Sequence, residues 1–517
     1  MIDKMSDESP AKKSKTSKLF DRLITRRNNV ADSIINFPFN KKRVRVLSRA
    51  TDVVKDCNGI LYWMLRDGRI QDNWAFLFAQ KLALKNRVSL HVCYCILPKF
   101  LDATLRHYKF FVESLEEVAD DCKDLNINFH LLYGLPNEVV LNFVKKRNMG
   151  ALVIDFFPLR TPMDWVDDLK KNLPSNIPIC QVDAHNIIPC WISSPKQEYS
   201  ISTIKTKMLK ILNNYLTEFP PIIKHPYDSN FKIDKINWKN CLKYVEIDRT
   251  VDKVEWCKPG YRTGLNQLEI FINERLKDYH EKRNNPLENV CSDLSPWINF
   301  GMISAQRVII EINDYEDKYE KSVKSFIELA LFQRELCENF CFYNENYDKV
   351  DGALLWTLET FNKHQNDKRG HIYSMEEFEE SQTHDDLWNA AQNQLKQTGK
   401  MHGFLRQYWA KKMIEWTNTP DDALKFSIYF TNKYGIDGCD PNGYAGCMWA
   451  ICGVHDHPWT ERQVTGKIRY LNYKGCKRKF DIQKFVRKYN GKVVNKKKVM
   501  SPKCMKKLII QVNQFNS

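Results

Sequence analysis

The first strand-length run, Ile60-Leu-Tyr-Trp-Met64, decides the class of the fold, because an amphipathic helix follows it and the alternation then continues. We predict strands at residues 60–64, 88–96, 127–133, 151–156 and 177–182, and helices at 73–85, 103–122, 138–147 and 164–172. Apolar strands that alternate with helices are typical of a doubly wound parallel sheet with helices on both faces. Such a sheet binds its ligand at the carboxyl ends of the strands. No Gly-x-Gly-x-x-Gly follows the first strand, so we expect no standard dinucleotide site there.

The rest of the chain divides into segments of different character. Residues 1–42 are basic with little apolar periodicity and are expected to be a disordered arm before an α/β domain at 43–183. Residues 184–255 are rich in Pro, Ser, Asn and Lys, which predicts a linker with one helix near 204–217. An all-helical domain is expected at 256–483, with helices at 265–279, 304–315, 319–339, 375–381, 385–397 and 403–416. The basic segment 484–517 is expected to be a peripheral tail.

Composition narrows the classes of partner and compartment. The net charge of +16 favours a polyanion, either nucleic acid or an acidic membrane surface, although part of the excess lies in the tails. No export signal and no bilayer-length apolar run is present, so we expect an intracellular protein that is not membrane-integral. The run Lys12-Lys13-Ser-Lys15 could direct nuclear import or be an ordinary solvated arm, which leaves nucleus and cytoplasm open.

The 16 cysteines follow no repeating framework and are expected to be reduced and buried. One cluster with histidines is a candidate zinc site: Cys439, Cys447, Cys452, His455, His457 and Cys476. A structural zinc site usually presents two closely spaced pairs of ligands, and the spacing here is irregular, so we expect no metal.

The segment from Asp437-Gly-Cys-Asp-Pro-Asn-Gly443 to His455-Asp-His-Pro-Trp459 has two turn-forming clusters around an apolar stretch. It is interpreted either as a buried loop between helices or as a turn-rich loop that brings the main chain close to a flat ligand. A basic stretch with interleaved aromatic residues, 466–480, follows directly. A polar pocket beside a phosphate-binding rim suits an enzyme that works on nucleic acid.

Three smaller groups in the helical half have both a structural and a functional interpretation. Ser295 and Pro296 suit a helix start, which is either ordinary capping or a place where a diphosphate binds. Trp409 and Trp416 lie seven residues apart on one helix face, about 10 Å apart along its axis, and with Trp388 form either an aromatic core or an electron relay. Arg406 and Asp437 form either a structural ion pair or one that tunes a redox ring.

Several long segments together resemble one family over residues 58–483, the class II cyclobutane pyrimidine dimer DNA photolyases of the photolyase/cryptochrome superfamily. The segments are Tyr62-Trp-Met-Leu-Arg-Asp-Gly-Arg-Ile-Gln-Asp-Asn-Trp74, Asp155-Phe-Phe-Pro-Leu-Arg160, Val182-Asp-Ala-His-Asn-Ile-Ile-Pro189, Ser295-Pro-Trp-Ile-Asn-Phe-Gly301, Ile303-Ser-Ala-Gln-Arg307, Asn339-Phe-Cys-Phe-Tyr-Asn344 and 437–459. The resemblance implies an α/β doubly wound parallel-sheet N-terminal domain and an all-α, FAD-binding C-terminal domain. It also implies light-driven repair of cyclobutane pyrimidine dimers in double-stranded DNA by reduced, anionic FAD. We expect a monomer.

The resemblance assigns roles to individual residues. It implies that Tyr279, Ser292, Leu294 and Ser295 contact the phosphate and ribose part of FAD. It implies that Arg406 and Asp437 are the ion pair beside the isoalloxazine, that Asn442 is the amide at the N5 edge, and that Trp409, Trp388 and Trp416 are the proximal, middle and distal members of a photoreduction chain.

On the DNA side, the resemblance makes Trp459 the wedge that packs against the flipped lesion and Glu328 the carboxyl that hydrogen-bonds a thymine. The backbone would be bound by the 467–479 stretch, with Lys467, Arg469, Lys477 and Arg478. Two departures affect the lesion pocket. Gln407 stands where many relatives carry methionine, and Phe332 or Gln333 lies near a second aromatic wedge of some relatives.

Two alternatives and one unknown remain at this point. A cryptochrome-like photoreceptor without repair activity would share the flavin site and the tryptophans. A zinc-dependent DNA-binding module would be colourless. A second antenna chromophore, a deazaflavin or a folate, is implied for the N-terminal domain, and no local motif identifies it.

Overall fold

The computed structural model describes residues 18–231 and 234–495. The basic groups at Lys12, Lys13 and Lys15 and those at Lys496–Lys498, Lys503, Lys506 and Lys507 lie outside the described residues.

The first half of the chain forms one six-stranded sheet. Its strands are β1 (Val44–Val46), β2 (Ile60–Trp63), β3 (Leu90–Ile96), β4 (Asn128–Tyr133), β5 (Ala151–Asp155) and β6 (Ile179–Val182). The spatial order is β1-β6-β5-β2-β3-β4, and all neighbouring strands are parallel except the antiparallel pair β1–β6. The strand order reverses between β2 and β5, so the topological switch point of the doubly wound sheet lies there. The predicted parallel sheet is confirmed, and β1 is an addition to it.

Helices cover both faces of this sheet. They are α2 (Trp74–Asn86), α3 (Leu105–Asp124), α4 (Pro136–Lys146) and α5 (Arg160–Asn172). Alternate residues of β2 enter different cores because successive strand side chains point to opposite faces. Ile60 and Tyr62 pack in the core that contains α2 and α3, whereas Leu61 and Trp63 pack in the core that contains α4 and α5. Burial on both faces explains why the strands are apolar throughout.

The linker and the second half are helical in the described residues. The helices are α6 (Cys190–Ser193), α7 (Ile201–Leu209), α8 (Trp238–Tyr244), α9 (Tyr261–Ile270), α10 (Tyr279–Lys282), α11 (Ser295–Asn299), α12 (Ala305–Asn313), α13 (Glu316–Ile327), α14 (Arg334–Tyr343), α15 (Leu355–His364), α16 (Met375–Glu379), α17 (Asp386–Thr398), α18 (Gly403–Trp416), α19 (Pro420–Tyr434), α20 (Pro441–Cys452), α21 (Tyr473–Lys477) and α22 (Ile482–Lys488). Wider π turns at Phe271–Arg275 and Glu328–Gln333 join α9 and α14 to their neighbours. The bounds predicted for α18 are those observed, whereas α15 and α19 were not predicted.

The segment interpreted as a turn-rich loop is a helix, and this expectation was wrong. The side chain of Asp440 accepts the amide hydrogen of Asn442, Pro441 occupies the first turn, and Gly453 ends α20 in the left-handed conformation. Asp-Pro is therefore an N-cap followed by a helix-starting proline, not part of a tight turn.

The expectation of a disordered arm is also wrong for residues 18–42, and that of a peripheral tail is wrong for 484–495. Leu19 and Leu23 of α1 (Lys18–Val30) are buried, and Arg27 pairs with Asp72 at 2.7 Å. At the other end, Phe485 is fully buried and the amide of Val494 donates to the carbonyl of Thr383 at 3.1 Å. Both segments are ordered by contacts with distant parts of the chain. No helix in the described part is long and apolar enough to cross a bilayer.

Candidate functional site

An ion pair joins α18 to the segment between α19 and α20. Arg406 Nη2 donates to Asp437 Oδ1 at 2.6 Å, and Arg406 Nε donates to the carbonyl of Met401 at 3.1 Å. The side chains are 32% and 13% exposed, so the pair is only partly shielded by protein. Burial alone would raise the pKa of Asp437, but the charge of Arg406 and the hydrogen bonds from Arg406 and Ser295 outweigh it and lower the pKa. Asp437 is therefore a carboxylate fixed beside a guanidinium.

The four residues expected at the phosphate and ribose lie in and around α10 and α11, and Ser295 among them is next to this ion pair. Leu294 and Tyr279 are buried, Ser292 is half-buried and Ser295 is exposed. Ser295 begins α11 instead of capping it, so the predicted N-cap was wrong; its hydroxyl bonds to Asp437.

Cations surround the turn before α11. Asp293 has a left-handed backbone, with φ 60°, and pairs with Arg275 at 2.9 Å and with Lys400. Burial lowers the pKa of Lys400 to about 8, against the opposing charges of Cys291 and Asp437. This arrangement places positive groups where a diphosphate would bind.

One face of α20 is open. Asn442, Gly446 and Trp449 are partly exposed, whereas the other residues of α20 are buried. Their spacing of four and three residues puts them in one stripe along the helix. A Cβ built on Gly446 would meet no atom within 4 Å, so free space lies against the helix backbone. A flat ring system fits this cradle, with the Arg406–Asp437 pair and the Asn442 amide among the polar groups of the site. The residues present therefore fit the flavin that the resemblance implies.

The Asn442 amide is held by a chain of charges that reaches the N-terminal domain. Asn442 Nδ2 donates to Asp440 Oδ1 at 2.9 Å, and the other carboxylate oxygen accepts from Arg66 at 2.6 Å. Arg66 also makes two hydrogen bonds to Glu338, at 2.9 and 2.7 Å. Because an ionised carboxylate only accepts, this contact turns the nitrogen of the amide towards Asp440 and its oxygen away.

The same cluster is the one group of potential metal ligands found in the described residues: His185, Glu338 and Asp440. Arg66 already bonds both of its carboxylates. A guanidinium therefore takes the position that a cation would need.

The three tryptophans form a continuous buried row. The rings of Trp409 and Trp388 are stacked with centroids 6.2 Å apart, and Trp388 meets Trp416 edge-on at 6.4 Å. Trp388 therefore bridges the two tryptophans that share a face of α18. The row does not end at open solvent, because His384 and Tyr373 cover Trp416 at 4.7 and 6.0 Å.

The basic stretch after α20 presents cations on the surface. Lys467, Arg469, Lys477 and Arg478 are exposed, and Trp459 is 39% exposed. The guanidinium of Arg469 lies 4.7 Å from the Trp459 ring centroid, and the ring of His457 stacks on the Trp459 ring with centroids 4.8 Å apart. An exposed indole beside a guanidinium is a surface suited to a polyanion with flat bases.

The remaining residues predicted to contact the lesion lie on α18 and in the π turn before α14. Gln407 follows Arg406 on α18 and is half-buried. Glu328 forms an ion pair with Lys205 through one carboxylate oxygen, and its side chain is 38% exposed, so the other oxygen is available to a donor. Phe332 is 3% exposed and lies in the π turn, while Gln333 is half-buried. Phe332 can stack on a ligand only if the turn moves.

Three residues of the site were missed from the sequence. Trp449 lies on the open stripe of α20, and Arg66 and Asp440 orient Asn442. The spacing of Asn442, Gly446 and Trp449 is visible in the sequence and would have shown the stripe, had α20 been predicted. No local signal could have paired Arg66 with Asp440.

A second cavity lies at the carboxyl ends of β2 and β3. Aromatic side chains line it, among them Trp63, Tyr94, Phe111 and Trp165, and Cys439 closes it from the helical half. It is at the end of the sheet where doubly wound folds bind ligands.

Comparison with known proteins identifies the family. The family model for DNA photolyase matches residues 60–224. The deoxyribodipyrimidine photo-lyase of Potorous tridactylus is 52% identical over 462 residues, which cover 89% of this chain and 87% of the relative. That of Arabidopsis thaliana is 41% identical and covers 86% of this chain and 92% of its own. A cryptochrome-1 of Sinapis alba is 28% identical over only 29% of this chain and 30% of its own.

Solved structures share the fold at low identity. A Synechocystis cryptochrome has a TM-score of 0.65 at 18% identity and covers 84% of this chain and 87% of its own. A class III photolyase of Agrobacterium tumefaciens has the same TM-score and identity, and the match covers 86% of this chain and 88% of the photolyase. An archaeal photolyase of Sulfolobus tokodaii, solved with two FAD molecules, has a TM-score of 0.61 at 18% identity. The match covers 83% of this chain and 90% of that photolyase.

These structures establish the fold alone, because photolyases and a cryptochrome match it equally well. The sequence relatives are more specific, since identity of 41–52% extends over both halves of the molecule. Together with the stripe on α20 and the ion pair beside it, they show that this chain belongs to the DNA photolyase family.

Proposed function

We propose that this protein is a deoxyribodipyrimidine photo-lyase, an enzyme that repairs cyclobutane pyrimidine dimers in DNA with the energy of light. The observation that carries the proposal is the identity with deoxyribodipyrimidine photo-lyases across most of both chains. FAD is the cofactor of the family, and the open stripe of α20 and the Arg406–Asp437 pair fit it. Bound in its reduced, anionic form, FAD would supply the light-driven one-electron chemistry that opens the cyclobutane ring with no net redox change.

The residues of the chain prepare this chemistry. Arg406 and Asp437 place a balanced pair of charges beside the ring edge, so that a negative ring is not left unpaired in a partly buried site. Asp440 holds the Asn442 nitrogen, which presents the amide oxygen to a donor in the cleft. Trp409, Trp388 and Trp416 form a row of neighbouring rings, with centroids 6.2 and 6.4 Å apart, that would carry the electrons for photoreduction of the cofactor.

Binding of DNA is assigned to the surface beyond α20. Lys467, Arg469, Lys477 and Arg478 bind phosphates, which makes affinity fall steeply with salt. Trp459 fills the space that the flipped dimer leaves in the duplex, and a dimer is cheaper to flip than intact bases because it pairs poorly. The substrate is then double-stranded DNA that contains a dimer, met by a monomer inside the cell.

The aromatic cavity at the strand ends is the place for a second, light-collecting chromophore. Its rings suit a planar ligand such as a deazaflavin or a folate, and Cys439 and Asn299 connect it to the helical half. Extraction of the purified protein followed by mass spectrometry identifies this ligand.

The alternative is a photoreceptor without repair activity, which the flavin site alone does not exclude. The weak and partial similarity to cryptochrome-1 favours repair, as does the exposed Trp459 beside the Arg469 guanidinium. A duplex with one cyclobutane dimer, illuminated with blue light in the presence of the reduced protein, decides the matter. Chromatography should show loss of the dimer after illumination and an unchanged dimer in the dark, and persistence of the dimer under light would overturn the proposal.

A further inference from the structure

The exposed Trp459 and Arg469 lie at the two ends of a hairpin, residues 459–469, which we call the Trp459 hairpin. The Trp459 amide donates to the carbonyl of Lys467 at 2.8 Å, and Arg462 and Gly466 exchange hydrogen bonds at 2.9 Å each. The hairpin is short and rich in exposed residues, so its own contacts are few. Something outside the hairpin must fix its orientation.

The last turn of α15 and the loop after it supply that support. Thr360 Oγ1 accepts the amide hydrogen of Lys467 at 3.1 Å, and Asp367 Oδ2 accepts that of Val464 at 2.8 Å. The backbone of Gly466 has φ 53° and comes so close that an added Cβ would lie 2.3 Å from Thr360 Oγ1. The hairpin is therefore held against α15 and the loop after it at its turn and along its second strand.

His364 stands at the centre of this contact. Its Nδ1 is 2.6 Å from Asp367 Oδ2, and its Nε2 is 2.8 Å from Glu461 Oε1 on the hairpin. Its side chain is 13% exposed, less than either carboxylate. Both ring nitrogens face carboxylate oxygens, which only accept, so the arrangement is satisfied when both nitrogens carry hydrogen.

We propose that His364, as an imidazolium between Asp367 and Glu461, is the residue that positions the Trp459 hairpin for recognition of damaged DNA. The proposal rests on the proposed function, because it concerns how the hairpin meets the dimer-containing duplex. His364 touches no DNA itself and acts through the placement of Trp459 and Arg469. Nothing in the family resemblance assigned a role to His364.

The charges around His364 give the contact a defined dependence on pH. The hydrogen bonds to Asp367 and Glu461 raise the pKa of His364 above its ordinary value, and burial opposes them weakly. The other charged groups that face it are Lys363, 2.8 Å from Glu461, and Arg369, whose charge acts on Asp367. A raised histidine pKa means that the contact is complete below the ordinary pKa and is lost as pH rises through the raised one. Discrimination between damaged and undamaged DNA should therefore weaken as the pH rises.

The test compares dissociation constants for a dimer-containing duplex and an undamaged duplex, in the dark, from pH 6 to pH 9 at constant ionic strength. For the wild type, the dissociation constant of the undamaged duplex divided by that of the dimer-containing duplex should fall with rising pH, by about tenfold, the equivalent of one charged hydrogen bond. In His364→Gln the ratio should be low and independent of pH. His280→Gln is the matched control, because His280 is exposed and bonds the neutral hydroxyl of Ser325; its profile should equal that of the wild type.

A second variant keeps the test decisive if His364→Gln does not fold. Glu461→Gln keeps the shape of the hairpin and removes one of the two carboxylates, so the fall in the ratio should move to lower pH. An unchanged profile in His364→Gln or in Glu461→Gln overturns the inference. Light-driven repair by the wild type is measured in parallel: if it is absent, the proposed function fails, whereas repair with unaltered profiles in the variants refutes the role of His364 alone.

Discussion

Replacement of Gly446 by leucine tests whether the open face of α20 is a ligand cleft or an ordinary solvent-facing helix surface. Gly446 lies in the middle of α20, and its added Cβ would meet no atom within 4 Å. Leucine is favoured over glycine in a helix interior by about 0.8–1 kcal/mol, and here the gain is not offset by a clash with protein. The flavin-free variant should therefore be more stable than the flavin-free wild type by nearly that amount.

The presence of FAD should reverse this order. A ligand at a thousand times its dissociation constant stabilises the folded state by about 4 kcal/mol. The wild type gains this free energy, whereas a leucine side chain fills the cradle and prevents binding. The net difference at saturation is then about 3 kcal/mol in favour of the wild type.

Urea unfolding with and without FAD measures both free energies, and absorbance of the purified proteins measures flavin content. Gly370→Leu is the control, since Gly370 is also without neighbours within 4 Å but lies on an exposed loop. It should retain flavin. A Gly446→Leu protein that binds FAD as the wild type does would refute the assignment of the stripe on α20 to the cofactor.

Three further variants test the remaining roles. Trp409→Phe should abolish photoreduction of the oxidised protein while chemically reduced enzyme still repairs dimers, and equal loss in both preparations would exclude a relay role. Trp459→Ala should bring the affinities for damaged and undamaged duplex together, so unchanged discrimination in a filter-binding assay argues against the wedge. Asp440→Ala leaves Arg66 with one carboxylate and frees the Asn442 amide; it should lower the free energy of unfolding by about 3 kcal/mol and shift the flavin reduction potential in a redox titration. A potential equal to that of the wild type would show that Asp440 has no part in orienting the amide.

Elements whose formation depends on residues close in sequence could be predicted, whereas elements that depend on contacts with distant residues could not. The strands β2 to β6 and the helix α18 follow from periodicity over a few turns, and the structure has them close to the predicted bounds. Strand β1 is only three residues long, and its pairing with β6 depends on a contact more than 130 positions away. No periodic pattern of that length distinguishes a strand from a loop.

Misinterpretation of α20 had the largest effect on the site. Glycine and proline within a few residues favour a turn on average, but an Asp before the proline reverses this inference, since Asp-Pro is a helix start. Once the segment is a helix, Asn442, Gly446 and Trp449 share a face, and the cleft follows from their spacing. The amide of Asn442 was found through the family resemblance, whereas Trp449 required the helix.

The α/β domain contributes directly to the flavin site, because its own residue Arg66 completes the polar arrangement around Asn442. Arg66 follows the carboxyl end of β2, where a doubly wound sheet presents its ligand-binding groups, and its guanidinium is buried between Glu338 and Asp440 of the helical half. Burial of these charges is tolerable only when all three are present, since removal of one partner leaves another uncompensated. The two domains must therefore dock before Asn442 acquires its orientation. Correct assembly of the domains is in this way a condition for the geometry of the flavin site.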